Sequence, residues 1–241
     1  MRQLTWFFDL DNTLHDASWR VFDTLDHSIN AYLVRHLGIE IEAADRLRVS
    51  YWRRYGATLL GLVLHHAVEP RHFLSETHGF IDEMGAADLI RSERGLARLL
   101  ARLPGRKVLI TNAPARYAKF VLRRIGAHRH IASGYAIERM VIHGRLRPKP
   151  SRAMLRVLLV KERVAPHRAV LVEDSAANLK SARSLGLHTV LIRGHDRTGD
   201  NVRKSRPPYV DLQVKSISQL VSRQSLIRSS CPQTSHPPTF P

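Results

Sequence analysis

The chain has 241 residues, 44% of them apolar, and carries 38 Lys plus Arg against 21 Asp plus Glu, a formal charge of +17. That length holds one large domain or a core with an insert, and no stretch approaches the roughly 20 apolar residues of a membrane span. Cys231 is the single cysteine, which excludes an intrachain disulfide or a thiolate metal cluster and fits a reducing cytoplasm.

The first element is the apolar run Leu4 to Phe8, a buried strand that ends on Asp9-Leu10-Asp11-Asn12-Thr13. Acids follow this run at once, so it is not expected to be a secretory signal. Ser18 to Leu37 places Trp19, Phe22, Leu25, Ile29 and Leu33 on one helical face, with Gly38 as the stop. Further helices are expected over Ala43 to Tyr55, Thr58 to Ala67 and Ala86 to Leu103, with Pro70 and Gly79 as punctuation between them. After Pro104-Gly105 the character changes. Lys107 to Ile110 reads as a strand ending at Thr111-Asn112, and Ala115 to Ile125 as a helix stopped by Gly126. A strand near Gly134 to Ile137, a helix from Pro150 to Val160, a strand over Ala169 to Val172 ending at Glu173-Asp174, and a helix from Ala176 to Leu185 come next. Strands at His188 to Ile192 and Tyr209 to Leu212 complete the series.

Strands alternating with helices of about ten residues indicate a mainly parallel α/β sheet, Rossmann-like, with helices on both faces. The block between the first two strands is too long for a crossover and reads as an inserted helical cap. The expected division is residues 1–15 and 104–221 as core, 16–103 as cap, and 222–241 as a disordered Ser/Pro-rich tail.

Three strands thus end in acids or hydroxyls at one sheet edge, where open α/β sheets bind ligands. They contribute Asp9 and Asp11, then Thr111 and Asn112, then Glu173 and Asp174, while Lys149 stands between Pro148 and Pro150 before a helix. Alone, each is a helix cap or a surface lysine. Together they offer acids for a divalent cation, an acid for proton transfer, and a cation and a hydroxyl for anionic oxygens. Mg²⁺ suits such an oxygen-donor set. The charge of +17 favours anionic partners. There is no zinc-finger spacing, aromatic RNP pattern or Arg-Gly repeat, and the basic residues are dispersed, so a phosphorylated metabolite is expected rather than nucleic acid. His65-His66 and His128 with His130 lack a third ligand at suitable spacing and read as structural or surface residues. Cys231 has no expected role.

In order and spacing these motifs resemble those of the haloacid dehalogenase superfamily, in its phosphatase branch. Phe7 to Leu14, Tyr55-Gly56-Ala57-Thr58-Leu59-Leu60-Gly61-Leu62, Thr111-Asn112-Ala113-Pro114, Arg147-Pro148-Lys149-Pro150 and Val172 to Lys180 further resemble pyrimidine 5'-nucleotidases. The resemblance spans residues 1 to about 221. It implies a Mg²⁺-dependent phosphomonoesterase with Asp9 as nucleophile and Asp11 as acid and base. Thr111, Asn112 and Lys149 would bind phosphate, and Asp9, Asp11 (through its carbonyl) and Asp174 would hold the metal. Glu173 and Thr13 would support the site from behind. Trp52, Arg53, Arg54 and Tyr55 are candidates to touch a base or sugar, with core aromatics and solvated arginines as the plainer reading. Alternatives are a phosphatase of another small metabolite, such as a sugar phosphate or phosphoglycolate, and a basic nucleic-acid-binding protein on an inactive phosphatase scaffold.

Overall fold

The computed structural model describes residues 4–83, 85–195 and 206–229. Its frame is a six-stranded parallel sheet: β1 (Thr5–Phe8), β2 (Arg106–Ile110), β3 (Ser133–Tyr135), β6 (Ala169–Glu173), β7 (His188–Ile192) and β8 (Leu212–Val214), in the order β3-β2-β1-β6-β7-β8. A two-stranded hairpin, β4 (Val141–Ile142) with β5 (Arg145–Leu146), stands apart. β1 lies at the centre, paired in parallel with β2 (Phe8 opposite Leu109) and with β6 (Phe8 opposite Val172). Successive strand side chains point to opposite faces. Trp6 and Phe8 therefore join one core cluster, and Phe7 joins the other.

The first face is covered by α5 (Leu96–Arg102), α6 (Ala115–Arg124) and α9 (Ile217–Ser229), through Leu96, Leu100, Tyr117, Val121 and Leu220. The second is covered by α7 (Arg152–Lys161) and α8 (Ala176–Arg183), through Met154, Leu155, Leu158 and Leu179. Burial on both faces explains why these strands lack polar alternation. Each fully buried Phe or Leu contributes about 1.5–3 kcal/mol.

Between β1 and β2 the helices α1 (Val21–Leu37), α2 (Ile41–Tyr55), α3 (Thr58–His66) and α4 (Pro70–Thr77) form the cap around Ile29, Tyr32, Leu33, Leu59, Leu62, Phe73 and Leu74. Gly38 and Gly56 end α1 and α2 in the left-handed conformation (φ 64° and 78°).

Five expectations differ from this. The helix α4 occupies a stretch read only as punctuation. Pro70 stands in its first turn, and the Glu69 carboxylate accepts from the amides of Arg71 and His72, so an acid cap followed by proline begins the helix. The single helix expected over Ala86 to Leu103 is a 3-10 turn (Ala86–Leu89), a loop, and then α5. Tertiary bonds hold that loop: the Arg91 carbonyl accepts from the Asp16 amide, and the Glu93 carboxylate caps α9 at the amides of Ile217 and Ser218. The last strand is Leu212–Val214 rather than Tyr209 to Leu212, with the Asp211 carboxylate accepting from the Thr189 amide beside it. Disorder does not begin at residue 222. α9 runs to Ser229, because Leu220, Val221 and Ile227 seat it on the core, against the polar bias of its sequence. Cys231 and the rest of the tail lie outside the described residues. Phe80, Ile81, Leu96, Leu100 and Leu103 also pack into the core cluster. Residues 80–103, expected in the cap, thus contribute to the core cluster, while the cap's own cluster runs from Ile29 to Leu74.

Candidate active site

β1 stops where its chain turns under the sheet edge. The Asp9 amide donates to the Val172 carbonyl (3.0 Å), which ties the end of β1 to β6. The next turn curls around the Leu10 carbonyl, which accepts from the amides of Thr13, Leu14 and His15. Asn12 sits in the left-handed region (φ 55°), and its side-chain oxygen accepts from the Ser18 amide at 3.0 Å. A short asparagine tolerates this conformation better than most side chains.

Asp9, directly after β1, and Glu173 and Asp174, at the end of β6, bring carboxylate oxygens within 4.8 Å of one another. Lys149 enters from the segment before α7. Its Nζ lies 2.6 Å from Asp9 Oδ1 and 2.7 Å from Glu173 Oε2. Asp9, Glu173 and Lys149 are all buried. Burial, and then repulsion by Glu173, hold Asp9 well above the usual carboxylate range, with Lys149 opposing. Burial and the neighbouring charges of Glu173 and Asp9 push Asp174 up as well. Burial pushes Glu173 up too, but Lys149 together with hydrogen bonding from Asp174 and Asp9 outweighs it, and the net shift is downward. Burial pulls Lys149 down; Asp9 and Glu173 outweigh that and hold its ammonium above the ordinary lysine range. One cation thus faces three acids, a surplus of negative charge that a divalent ion offsets. Among the described residues this is the one such acid or histidine group with metal-ligand spacing.

Thr111 follows β2, with its hydroxyl oxygen accepting from the Ala113 amide (3.0 Å) and its proton left to donate. Asn112 departs from expectation. Its side-chain oxygen accepts from the Lys149 amide (2.9 Å), and its Nδ2 donates to the carbonyls of Lys149 (3.1 Å) and Gly56 (3.3 Å). That side chain is a staple between core, lysine and cap rather than a phosphate ligand, since backbone groups take both its ends. Gly56 completes the seam. A Cβ there would meet the Lys149 carbonyl oxygen and Pro150 Cδ at 2.6 Å, so only glycine lets the cap approach this closely. Thr13 is buried, and its hydroxyl has no hydrogen-bond partner among the described residues.

The cap candidates lie mainly on the surface. Trp52 is 60% exposed, Arg54 lies over the Tyr55 ring at 5.3 Å, and the Tyr55 hydroxyl meets His65 Nε2 at 2.6 Å. His66 pairs with the Tyr51 hydroxyl at 2.8 Å. These contacts are internal to the cap, whereas Gly56 meets the Lys149 backbone.

Three residues near Asp11 escaped the sequence reading: His15, Tyr117 and His78. The spacing of Asp11 and His15 (i, i+4) was the available signal for one of them; nothing local points to the other two. His78 packs edge-on to Tyr117 (ring centroids 5.8 Å) and stacks on Phe80 at 6.2 Å, and burial pushes its pKa down to about 4. The unfolded chain takes up a proton near pH 6.5, before the folded chain does. The contribution of a neutral His78 is therefore whole above that pH and falls away as pH drops toward 4. His78→Gln is expected to remove about 2–3 kcal/mol of the stability lost between pH 7 and pH 4, read from urea midpoints. Parallel wild-type and variant curves would show that His78 is not the group responsible.

The fold and this site define a class of hydrolase in which acids at strand ends face a lysine beneath an inserted cap. The chain belongs to the haloacid dehalogenase-like hydrolase family, whose model matches residues 5–186. It is 24% identical over 209 residues to "Phosphate metabolism protein 8" of Saccharomyces cerevisiae, which covers 82% of this chain and 64% of that protein. The chain therefore spans about two thirds, but slightly less, of that relative's length. Among solved structures it resembles a HAD phosphatase from Thermococcus onnurineus, with TM-score 0.59, 18% identity and coverage of 94% and 98% of the two chains. It also resembles a Lactobacillus plantarum protein provisionally described as a phosphoglycolate phosphatase, with TM-score 0.63, 17% identity and coverage of 94% and 100%. Among the described residues no helix is long and apolar enough to cross a membrane.

Proposed function

We propose that this hydrolase is a Mg²⁺-dependent phosphomonoesterase that acts through an aspartyl-phosphate on a nucleoside 5'-monophosphate, a pyrimidine one by the resemblance of its motifs. The observation that carries the reading is the convergence of Asp9, Asp174 and Lys149 at one sheet edge, with Asp11 two residues from the nucleophile. Asp9 attacks phosphorus, and the bond to the leaving oxygen breaks as the new P–O bond forms. Asp11 gives its proton to that oxygen, then takes one from the water that hydrolyses the aspartyl-phosphate. Lys149 has three N–H donors, two of them engaged by Asp9 and Glu173, which leaves one for a phosphoryl oxygen. The Thr111 hydroxyl donates to another.

The acid set fits a hard divalent ion. Asp9, Asp174 and the Asp11 carbonyl would hold Mg²⁺, which when bound lowers the charge repulsion between phosphate and carboxylate. Glu173, already tied to Lys149 and to the Ser175 amide (3.2 Å), suits a supporting role. The second acid also favours phosphoryl transfer within this family, because a departing halide needs no proton and an alkoxide does. The similarity to the Lactobacillus protein favours a small-metabolite phosphatase as the second reading.

The test is hydrolysis of p-nitrophenyl phosphate with Mg²⁺ and with EDTA. A panel of pyrimidine and purine monophosphates, sugar phosphates and phosphoglycolate, assayed side by side, then follows. Turnover with Mg²⁺ alone, and the highest kcat/KM on a pyrimidine nucleotide, are expected. A better sugar phosphate or phosphoglycolate would select the second reading; no turnover of any ester would remove both.

A further inference from the structure

Asp11 is held from behind at a single oxygen. His15 Nε2 lies 2.8 Å from Asp11 Oδ1, and the Tyr117 hydroxyl donates to the same oxygen at 2.8 Å. Hydroxyl and imidazole are 3.2 Å apart, which closes a triangle. Whether the carboxyl is ionised or carries its proton on Oδ2, Oδ1 only accepts, so Nε2 is a donor here. Both donors are buried, with His15 at 0% and Tyr117 at 2% exposure. The other ring nitrogen, His15 Nδ1, is buried with no hydrogen-bond partner among the described residues. The ring's polar contacts therefore converge on Asp11 and Tyr117 and on nothing else described. Asp11 Oδ2 accepts no hydrogen bond from the described residues, and the Asp11 side chain keeps 22% exposure.

The fold builds this arrangement from two distant parts of the chain. The turn about the Leu10 carbonyl brings His15 back beside Asp11. Tyr117 arrives in the first turn of α6, 106 residues away, from the segment that follows Thr111. A carboxyl group turns readily about its last torsion, which exchanges its two oxygens. Two donors on one oxygen stop that exchange.

We infer that His15 and Tyr117 are positioning residues for proton transfer: by fixing Asp11 Oδ1 they make Oδ2 the atom that carries the proton to the leaving oxygen. The inference rests on Asp11 being the acid of the proposed reaction. As the bond from phosphorus to the leaving oxygen breaks, the Oδ2 proton moves to that oxygen. The charge left on the carboxylate spreads to Oδ1, where both donors meet it. In the second half-reaction a water proton returns to Oδ2.

Misplacing an acid matters most when the leaving oxygen is basic. Phenyl phosphate releases an oxygen about as basic as tyrosine's, near pKa 10, whereas p-nitrophenyl phosphate releases a far weaker base of nearly the same shape. Tyr117→Phe and His15→Leu are expected to lower kcat/KM about tenfold more on phenyl phosphate than on p-nitrophenyl phosphate, part of the 10²–10⁴ that an acid supplies. His15→Gln, which keeps an N–H donor, should return the ratio toward wild type. Equal losses on both esters, with Gln no better than Leu, would overturn the inference and leave the proposed function standing. Failure of the wild type to hydrolyse these esters or any ester of the panel with Mg²⁺ would remove both. Tyr117→Phe deletes one oxygen and carries the comparison alone if the His15 variants do not fold.

Discussion

Asp9→Asn will retain less than about a thousandth of the wild-type turnover of p-nitrophenyl phosphate, the scale of loss when a covalent nucleophile is removed. Asparagine has nearly the shape of aspartate but no anionic oxygen with which to form a P–O bond. The site around it should survive. Lys149 keeps Glu173 as a partner at 2.7 Å, and the Asp9 amide still donates to Val172. Burial, Glu173 and Asp11 all disfavour the Asp9 charge, with Lys149 opposing them. Its removal should therefore leave the metal-free melting temperature unchanged or raise it slightly. Lost turnover with an intact melt separates chemistry from folding. Residual activity above that thousandth would deny Asp9 the nucleophile's role, whatever the melt shows.

The parts of the molecule that follow from burial were legible in the sequence. Trp6, Phe7 and Phe8, Val108 to Ile110, and Ala169 to Val172 are near-continuous apolar runs because both faces of their sheet are covered. Each ends in polar residues because the sheet ends there, so the acids that converge in space could be named from strand ends alone. Elements fixed by tertiary contacts were less legible. The loop 91–94 leaves the helical path because Glu93 caps a helix more than a hundred residues away. α9 forms in a Ser-rich stretch because the core offers a seat for Leu220 and Ile227. Asn112 shares a motif with Thr111, yet its amide is directed to the backbone of Lys149 and Gly56, which no spacing reveals. The links from Asp11 to Tyr117 and His78 have the same origin. They exist only once α6 and the end of the cap are brought to the edge of β1.

Lys149→Met will destabilise the metal-free protein by about 3–5 kcal/mol, the usual result of removing one partner from a buried ion pair. The lysine side chain is 4% exposed and sits between Asp9, at 9%, and Glu173, at 1%. Methionine fills similar volume, so packing contributes little to the loss. What remains is three acids with no cation, two of which already resist ionisation while the lysine is present. Two consequences distinguish this from a general packing defect. Without Lys149 the carboxyl groups gain folded-state proton affinity, and a carboxyl whose pKa rises on folding adds stability at low pH that is lost as pH rises. The variant should therefore gain stability from pH 7 to pH 5 relative to wild type. Mg²⁺ should recover more of its urea midpoint than it adds to the wild type, because the ion then supplies the only positive charge among these acids. A variant within about 1 kcal/mol of wild type in EDTA, beyond the error of linear extrapolation, would mean that Lys149 is not the counter-charge on which these acids depend.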